Sequence, residues 1–445
     1  MKKLVFLFIL SINLLQAQQV LNTFLNKENL KPATVSLAVY NLSTQQNITN
    51  FQTEKLLYPA SLQKLISTSA ALKILGADFR YKTKVNLKGA LTNQTFKGVI
   101  EIEASGDPSL NEKFIDFVYT FLKEKNINTL EGYITVNQQS FCLNAEKSWL
   151  IEDVANYYGS PAFGFNFIEN TYRLTFAQRD EGKTPKILAT SPKMEHLKFD
   201  NQLVSKGKRD KAYILGMPFS KERKIVGSIP PGAGTFTIKG AIDNPAQLFK
   251  NMLIKKLQKE KIDFVFNDNI SSENIFASKE YMSQELQKII TITNQNSNNL
   301  YAEALLKTIG LEKYGYGSTA NGLKAIEALY SSQKLSFYDG SGLSRKNLMS
   351  SNFLMMLLKN NENNINFKNS LGVSGISGTM KYFSSEKTKG KLIGKSGSAD
   401  GVLNYAGYFK NSKNEQIAFV FLVNNYTGSK SSVRREMLKV LESYF

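Results

Sequence analysis

A chain of 445 residues, 42% of them hydrophobic, is too long for one ordinary core and predicts a globular protein of two or three domains. Its formal net charge is +19, but the charges are scattered, as on solvated faces rather than on a nucleic-acid-binding stripe. With one histidine, His196, and one cysteine, Cys142, an internal disulfide is excluded and a His/Cys zinc site nearly so. His196 lies in a polar segment that favours a structural role, so a serine nucleophile here would need a different base, and lysine is the obvious one.

The first 17 residues have the pattern of a secretory signal peptide. Lys2 and Lys3 precede an apolar stretch over 4–15, and the small residue Ala17 ends a cleavage site. We therefore expect a mature, soluble chain from about Gln18, exported to the periplasm or cell envelope, with a formal charge of about +17. Export argues against nucleic acid as a partner and favours peripheral association with anionic envelope polymers or the membrane surface.

The N-terminal part of the mature chain predicts a β-hairpin followed by a helix. Residues 33–42 and 47–51 have strand patterns, separated by a polar turn. After Pro59, Ser61 stands in the first turn of a run with helical apolar spacing, and Lys64 lies one turn later on the same face. Ser61 and Lys64 are a candidate nucleophile and base; the alternative is a capping serine beside a solvated lysine.

The middle of the chain changes in character from about residue 80. Strand-like runs dominate there, at 81–87, 96–103, 132–136, 172–176, 212–215 and 235–238, with helices predicted at 111–125 and 245–259. Helical patterns return from about residue 283. They predict helices at 284–293, 300–309, 319–331 and 351–359, strands at 391–396, 403–409 and 416–424, and a terminal helix at 431–444.

This order predicts a discontinuous α/β (α+β) catalytic domain. The last strands have a residue pattern similar to that of the N-terminal hairpin, so we expect both ends of the chain to share one antiparallel sheet flanked by helices. The catalytic domain would comprise residues 18–79 and 280–445. Residues 80–279 would form an inserted β-rich region of one or two subdomains.

Three short motifs occur in a fixed order along the chain. They are Ser61-Leu62-Gln63-Lys64, Ser297-Asn298-Asn299 and Lys395-Ser396-Gly397-Ser398. Each alone is weak, but together they resemble the S-x-x-K, S-x-N and K-[TS]-G signature of the penicillin-recognising serine enzymes. Ser396 stands where threonine is commoner and keeps the hydroxyl.

The long insertion between the first two motifs resembles one branch of that superfamily, the D-alanyl-D-alanine carboxypeptidases of peptidase family S13 that are similar to penicillin-binding protein 4. Further stretches fit this branch, at 105–110, 149–159, 298–303, 339–345 and 378–380. The resemblance implies a β-lactamase/transpeptidase-like fold and a serine-type D-Ala-D-Ala carboxypeptidase, with endopeptidase action on cross-links as the related reaction. It implies peptidoglycan stem peptides as substrates and β-lactams as covalent inhibitors, without a cofactor or metal.

The chemistry of the motif residues agrees with such acyl transfer. Lys64 can deprotonate Ser61 only when neutral, so we expect burial and the cation Lys395 to lower its pKa. We expect Lys395 itself to stay charged and face the terminal carboxylate of the substrate. Ser297 can relay a proton to the leaving amine, and the amide of Asn299 can hold the substrate backbone.

The Lys395-Ser396-Gly397-Ser398 strand supplies the remaining expected contacts. The hydroxyls of Ser396 and Ser398 can bind the same carboxylate, and Gly397 lets the strand approach the acyl group. The backbone N–H groups of Ser61 and Ser398 are the expected oxyanion donors.

A weaker candidate is the segment around Trp149, Glu152 and Asp153, which resembles a family stretch near a substrate pocket. The two acids could bind the amino end of the diamino acid side chain, or the segment could be a strand-loop boundary with a buried tryptophan. Two rivals to the overall assignment are a β-lactamase or esterase of the same superfamily, and a non-catalytic envelope-binding protein on a decayed enzyme scaffold.

Overall fold

The computed structural model describes residues 17–270, 273–330 and 336–445, so the predicted signal peptide, apart from Ala17, lies outside the described residues. The chain forms two compact units. The first comprises residues up to Ala77, Leu286–Asn298 and Leu323–Phe445, and the second comprises Asp78–Glu285 and Asn299–Gly322. Within the described ranges, no helix combines the length and the apolar character that crossing a membrane requires.

The helices begin and end as follows. They are α1 (17–25), α2 (Gln63–Leu75), α3 (Glu112–Glu124), α4 (Ile151–Val154), α5 (Pro245–Lys259), α6 (Leu286–Gln295), α7 (Asn299–Tyr314), α8 (Thr319–Leu329), α9 (Ser351–Asn360), α10 (Ile365–Asn369) and α11 (Lys430–Glu442). Short 3₁₀ turns include Ala60–Leu62 and Gly378–Met380.

The strands are shorter and more numerous in the second unit. They are β1 (Thr34–Asn41), β2 (Gln46–Phe51), β3 (Lys82–Thr92), β4 (Thr95–Glu103), β5 (Thr129–Asn137), β6 (Thr171–Ala177), β7 (Lys186–Ser191), β8 (Lys198–Asn201), β9 (Val204–Ser205), β10 (Tyr213–Leu215), β11 (Glu222–Val226), β12 (Ser228–Ile229), β13 (Thr235–Ala241), β14 (Asp263–Phe266), β15 (Ile275–Met282), β16 (Gly372–Val373), β17 (Ile393–Ala399), β18 (Val402–Lys410) and β19 (Gln416–Asn424).

The first unit is built on a sheet with the strand order β16-β17-β18-β19-β1-β2, in which neighbours are antiparallel. The pairing of β1 with β19 joins the two ends of the chain and confirms the predicted sheet. β18 and β19 are buried along almost their whole length because they occupy the middle of the sheet.

Both faces of this sheet are covered. Leu37 on β1 packs in an apolar cluster with Phe24 of α1 and Met437 of α11. The neighbouring Ser36 points to the other face, where its hydroxyl bonds that of Ser351 on α9 at 2.6 Å. The alternation therefore places helices on both faces and confirms the expected α/β class.

The second unit has its own core around a sheet of order β14-β5-β4-β3-β15. Helices α3 and α5 pack on it, with further small sheets in the orders β13-β6-β7 and β10-β11-β8. Asn111 caps α3, and Asn244 caps α5 ahead of Pro245. These caps explain why both helices begin within one residue of the predicted positions.

The two units differ from the predicted domain bounds mainly at residues 299–322, which the sequence assigned to the catalytic domain, and also at 78–79 and 280–285. Helix α7 groups with the second unit because the Nζ of Lys307 donates hydrogen bonds to the carbonyls of Ala162 and Cys142, at 2.7 and 3.3 Å. Beyond the helix, Cys142 donates its backbone N–H to the carbonyl of Gly317. The division into a catalytic domain and an inserted region stays a prediction.

Candidate active site

Ser61 lies in a 3₁₀ turn that leads directly into α2, rather than in the α-helix itself. The preceding residue, Ala60, has a left-handed backbone with φ of 48°. The turn is held to the sheet through Tyr58, whose N–H donates to Oδ1 of Asn424 at 2.9 Å and whose carbonyl accepts Nδ2 of Asn404 at 3.0 Å. Strands β18 and β19 thus fix a strained turn that presents Ser61, and such strain is concentrated at functional sites.

Lys64 meets Ser61 as the S-x-x-K spacing predicts. Its side chain is fully buried, and its Nζ donates to Oγ of Ser61 at 3.0 Å. A second hydrogen bond, at 2.6 Å, goes to the carbonyl of Ser341. The 3.0 Å contact is short enough for direct proton transfer between the two side chains.

The loop 339–345 supplies that carbonyl and packs against α2. Its shape is fixed by the buried carboxylate of Asp339, which accepts hydrogen bonds from the backbone N–H groups of Gly342 and Ser344 at 2.8 and 2.6 Å. The loop carbonyl of Gly340 accepts the hydroxyl of Ser67 on α2 at 2.6 Å. The sequence marked this loop as a stretch that fits the family, and did not indicate that its backbone holds Lys64.

The second and third motifs meet at Lys395. Its buried Nζ donates to Oγ of Ser297 at 2.9 Å and to the carbonyl of Ser396 at 2.6 Å. Ser297, like Ala60, has a left-handed backbone, with φ of 53°. Burial, and next the charge of Lys64, hold the pKa of Lys395 well below its ordinary value. The sequence predicted that Lys395 stays charged, whereas its burial in the free protein favours the neutral form.

Strand β17 carries the remaining motif residues beside the Ser61 turn. A Cβ on Gly397 would lie 2.2 Å from the carbonyl oxygen of Pro59, so only glycine permits this approach. The N–H of Ser396 donates to Oγ1 of Thr379 at 3.0 Å. At the far end, the exposed hydroxyl of Ser398 accepts a hydrogen bond from Nζ of Lys430 at 2.7 Å.

Sequence reasoning missed three of these residues. Ser341 acts through its backbone, which no side-chain motif reveals. Thr379 stood in a stretch that resembled the family, without an assigned role. Lys430 had no signal, because it lies 32 positions after Ser398 at the start of a separate helix.

The other predicted site residues lie in the second unit. Asn299 begins α7, and its Nδ2 donates to the carbonyl of Tyr158 at 2.6 Å. Trp149 and Asp153 are buried, whereas Glu152 is exposed. Burial, followed by the charge of Asp153, raises the pKa of Tyr158, so these acids stand close to a tyrosine hydroxyl.

His196 makes a local pair outside the three motifs. Its Nε2 lies 2.9 and 3.0 Å from the two carboxylate oxygens of Asp243, in the second unit. This contact agrees with the structural role that its sequence context favoured.

Comparison with known proteins places these observations in a family. The model of the D-Ala-D-Ala carboxypeptidase 3 (S13) family matches residues 17–444. DacB, a D-alanyl-D-alanine carboxypeptidase of Haemophilus influenzae, is 22% identical over 415 residues, which cover 88% of this chain and 86% of that protein. The crystal structure of penicillin binding protein 4 (dacB) from H. influenzae aligns with a TM-score of 0.79 at 20% identity and covers 93% of this chain and 97% of that chain. Its complex with a β-lactam aligns with a TM-score of 0.75, at the same identity and coverage.

The fold is the α/β fold of penicillin binding protein 4 from H. influenzae, as the sequence predicted. The chain belongs to the D-Ala-D-Ala carboxypeptidase 3 (S13) family, whose model matches nearly its full length. It is accordingly a serine-type D-Ala-D-Ala carboxypeptidase, which confirms the predicted enzyme class.

Proposed function

We propose that Ser61 is the nucleophile and Lys64 the general base of this carboxypeptidase. The observation that carries the proposal is the 3.0 Å contact between the buried Nζ of Lys64 and Oγ of Ser61. Neutral Lys64 takes the hydroxyl proton as Ser61 attacks the carbonyl carbon of the bond between the two terminal D-alanines. The backbone N–H groups of Ser61 and Ser398 stabilise the oxyanion.

The second half of the reaction uses Ser297 and water. Ser297, hydrogen-bonded to Lys395, relays the proton that Lys64 took from Ser61 to the leaving D-alanine amine as the peptide bond breaks, which leaves Lys64 neutral again. Water then attacks the Ser61 ester and releases the shortened peptide, regenerating the hydroxyl. Asn299 holds the substrate backbone through its amide.

Lys395 receives the substrate carboxylate. Its pKa is lowered by burial, and further while Lys64 is protonated. An incoming carboxylate opposes both effects and favours the protonated form, so substrate binding charges Lys395. The hydroxyls of Ser396 and Ser398 complete the carboxylate site.

The substrates that we propose are peptidoglycan stem peptides. The enzyme removes their terminal D-alanine and, by the same steps, cuts D-alanyl cross-links. Glu152 and Asp153, beside Trp149, bind the amino end of the diamino acid. The chain acts in the periplasm or cell envelope, consistent with the signal-like sequence before Gln18 and with its basic charge. β-Lactams acylate Ser61 because they mimic the D-Ala-D-Ala end.

Mass spectrometry of the intact chain after treatment with benzylpenicillin tests this proposal. We expect one penicilloyl adduct on Ser61 and none in Ser61→Ala, with release of D-alanine from a D-Ala-D-Ala peptide only by the unchanged protein. Fast multiple turnover of penicillin would instead identify a β-lactamase, and absence of both adduct and cleavage would identify a non-catalytic binding protein.

A further inference from the structure

Helix α11 begins beside the substrate-facing end of β17, a position that the three motifs do not cover. The Nζ of Lys430, the first residue of α11, donates to Oγ of Ser398 at 2.7 Å. Ser429 caps the helix by accepting the N–H of Ser432, so the backbone that carries Lys430 is fixed. The contact therefore joins a cation at the start of a capped helix to a hydroxyl of the proposed carboxylate site.

The direction of this hydrogen bond has a chemical consequence. An ammonium group is only a donor, whereas a hydroxyl has one proton and two acceptor lone pairs. Ser398 must therefore accept from Lys430, which leaves its single proton available to another acceptor. A carboxylate bound at Lys395 and Ser396 is such an acceptor, and polarisation by the ammonium strengthens that second bond.

A second cation lies one turn further along the same helix face. The Nε of Arg434 donates to the hydroxyl of Tyr405 at 3.2 Å, and Tyr405 is paired with Ser396 across the sheet. Burial, and next the charge of Arg434, lower the pKa of Lys430, so the two cations repel each other. Over residues 17–270, 273–330 and 336–445, neither forms an ion pair with an Asp or Glu side chain. An anion at this end of β17 would relieve that repulsion.

We propose that Lys430 is a specificity-determining positioning residue, which orients the Ser398 hydroxyl toward the terminal carboxylate of the substrate. Arg434 adds positive charge behind it, so that α11 recognises the carboxylate together with β17. The proposal rests on the carboxylate-binding role proposed for Ser398. It adds a contact from outside the three motifs.

The test compares Lys430→Met with Lys430→Arg and with a matched control on the same helix. Arg435→Met removes the same charge from an exposed position near Glu436, away from Ser398. For a D-Ala-D-Ala peptide we expect Lys430→Met to lower kcat/KM about tenfold, mainly through KM, since a hydrogen bond to a charged group is lost. Lys430→Arg should recover most of this loss, and Arg435→Met should stay within about twofold of the unchanged protein.

Two further measurements separate orientation of Ser398 from a general charge effect. The first is the rate of Ser61 acylation by benzylpenicillin and by its methyl ester, which lacks the anionic carboxylate. We expect Lys430→Met to slow acylation by the acid and not by the ester. The second is Ser398→Ala combined with Lys430→Met; the double variant should be little worse than either single variant.

Equal effects of Lys430→Met on acid and ester, no effect on either, or additive losses in the double variant would overturn the proposal. Acylation of the unchanged protein separates its failure from failure of the proposed function. If the unchanged protein forms the Ser61 adduct and Lys430→Met behaves like Arg435→Met, only the role of Lys430 is wrong. If no adduct forms on the unchanged protein, the proposed function fails and the role of Lys430 falls with it.

Discussion

If Lys395 receives the substrate carboxylate, as we propose, its protonation couples substrate binding to pH. The pKa of this lysine is lowered by burial and, while Lys64 is protonated, also by the charge of Lys64, so the free protein holds Lys395 neutral over a wider pH range than an ordinary lysine. A bound carboxylate raises that pKa. Above the pKa of the free protein, binding therefore takes up a proton and weakens by about tenfold for each pH unit.

Calorimetric titration of Ser61→Ala with a D-Ala-D-Ala peptide, in buffers of different ionisation enthalpy, measures this uptake. We expect uptake that approaches one proton as the pH rises, because the Ser61→Ala protein binds without turnover. The variant Ser61→Ala/Lys395→Met should bind more weakly and without this uptake. Equal binding enthalpies in all buffers would show that Lys395 is already charged before the substrate arrives.

Asp107 is a buried acid of the second unit with a different pH signature. Burial raises the pKa of its carboxyl group from 3.8 to about 6, against two hydrogen bonds from Ser109 that favour the charged form. The folded protein thus holds the proton more tightly than the unfolded chain does. The resulting stability is complete below pH 3.8 and is lost as the pH rises through about 6.

Urea unfolding of the unchanged protein and of Asp107→Asn between pH 4 and 7 tests this assignment. Relative to the asparagine variant, the unchanged protein should lose about 2 kcal/mol of unfolding free energy as the pH rises across that interval. The other carboxylates are common to both proteins, so their contributions to the pH dependence of stability cancel in this comparison. A constant difference between the two proteins would show that Asp107 is ionised throughout.

The loop 339–345, whose Ser341 carbonyl accepts a hydrogen bond from Lys64, packs closely against the turn before Ser61. Gly342 has φ of 83°, and a Cβ there would lie 1.9 Å from the carbonyl oxygen of Ala60. Gly401, in the turn after β17, also has positive φ, at 65°, but its nearest contact would be 3.7 Å away. Both glycines have a positive φ that other residues rarely adopt, but only at Gly342 would an added Cβ clash with a neighbouring atom.

We expect Gly342→Ala to destabilise the protein by more than about 3 kcal/mol, or to displace the turn of Ser61 and slow acylation at least about a hundredfold. Gly401→Ala should cost about 1 kcal/mol and leave acylation unchanged. Thermal unfolding and the rate of penicillin acylation measure both. Equal effects of the two substitutions would show that the backbone conformation alone matters at Gly342.

The elements predicted well from the sequence are those with local signals. Helix α9, for example, begins at the predicted residue because Ser350 caps it through the N–H of Phe353. Strand β15 was missed because it is an edge strand with alternating exposed and half-buried residues and no buried apolar face. Likewise, the motifs identified Ser61 and Lys395 locally, whereas Lys430 reaches Ser398 only through the tertiary fold.

At the scale of the whole molecule, the antiparallel sheet that joins both chain ends was predictable. The grouping of α7 with the second unit was not. The sheet was predicted because both ends of the chain have similar strand-like residue patterns. The assignment of α7 depends on Lys307, a buried cation whose carbonyl partners lie in the segment 142–162 of the second unit. A lysine in a predicted helix is ordinarily solvated, so the pattern did not predict that Lys307 is buried.

Two units with separate apolar cores should not unfold as one two-state system. The first unit is built around the sheet that contains β1 and β19, and the second around the sheet that contains β3 and β4. Each unit has an apolar core of its own, although the chain passes between the units at residues 77, 285, 298 and 322. We therefore expect a calorimetric enthalpy of unfolding that exceeds the van't Hoff enthalpy.

Acylation by benzylpenicillin should separate the contributions of the two units. Ser61 and Lys395 belong to the first unit, and a covalent ligand there stabilises only the transition in which that unit unfolds. Differential scanning calorimetry with and without penicillin should show one transition shifted upward and the other shifted by less than about 2 °C. Asp107→Asn, in the second unit, should change the other transition and its pH dependence instead. If both transitions move together in each experiment, the two units unfold cooperatively. The four connections between them would then couple the two cores, contrary to this prediction.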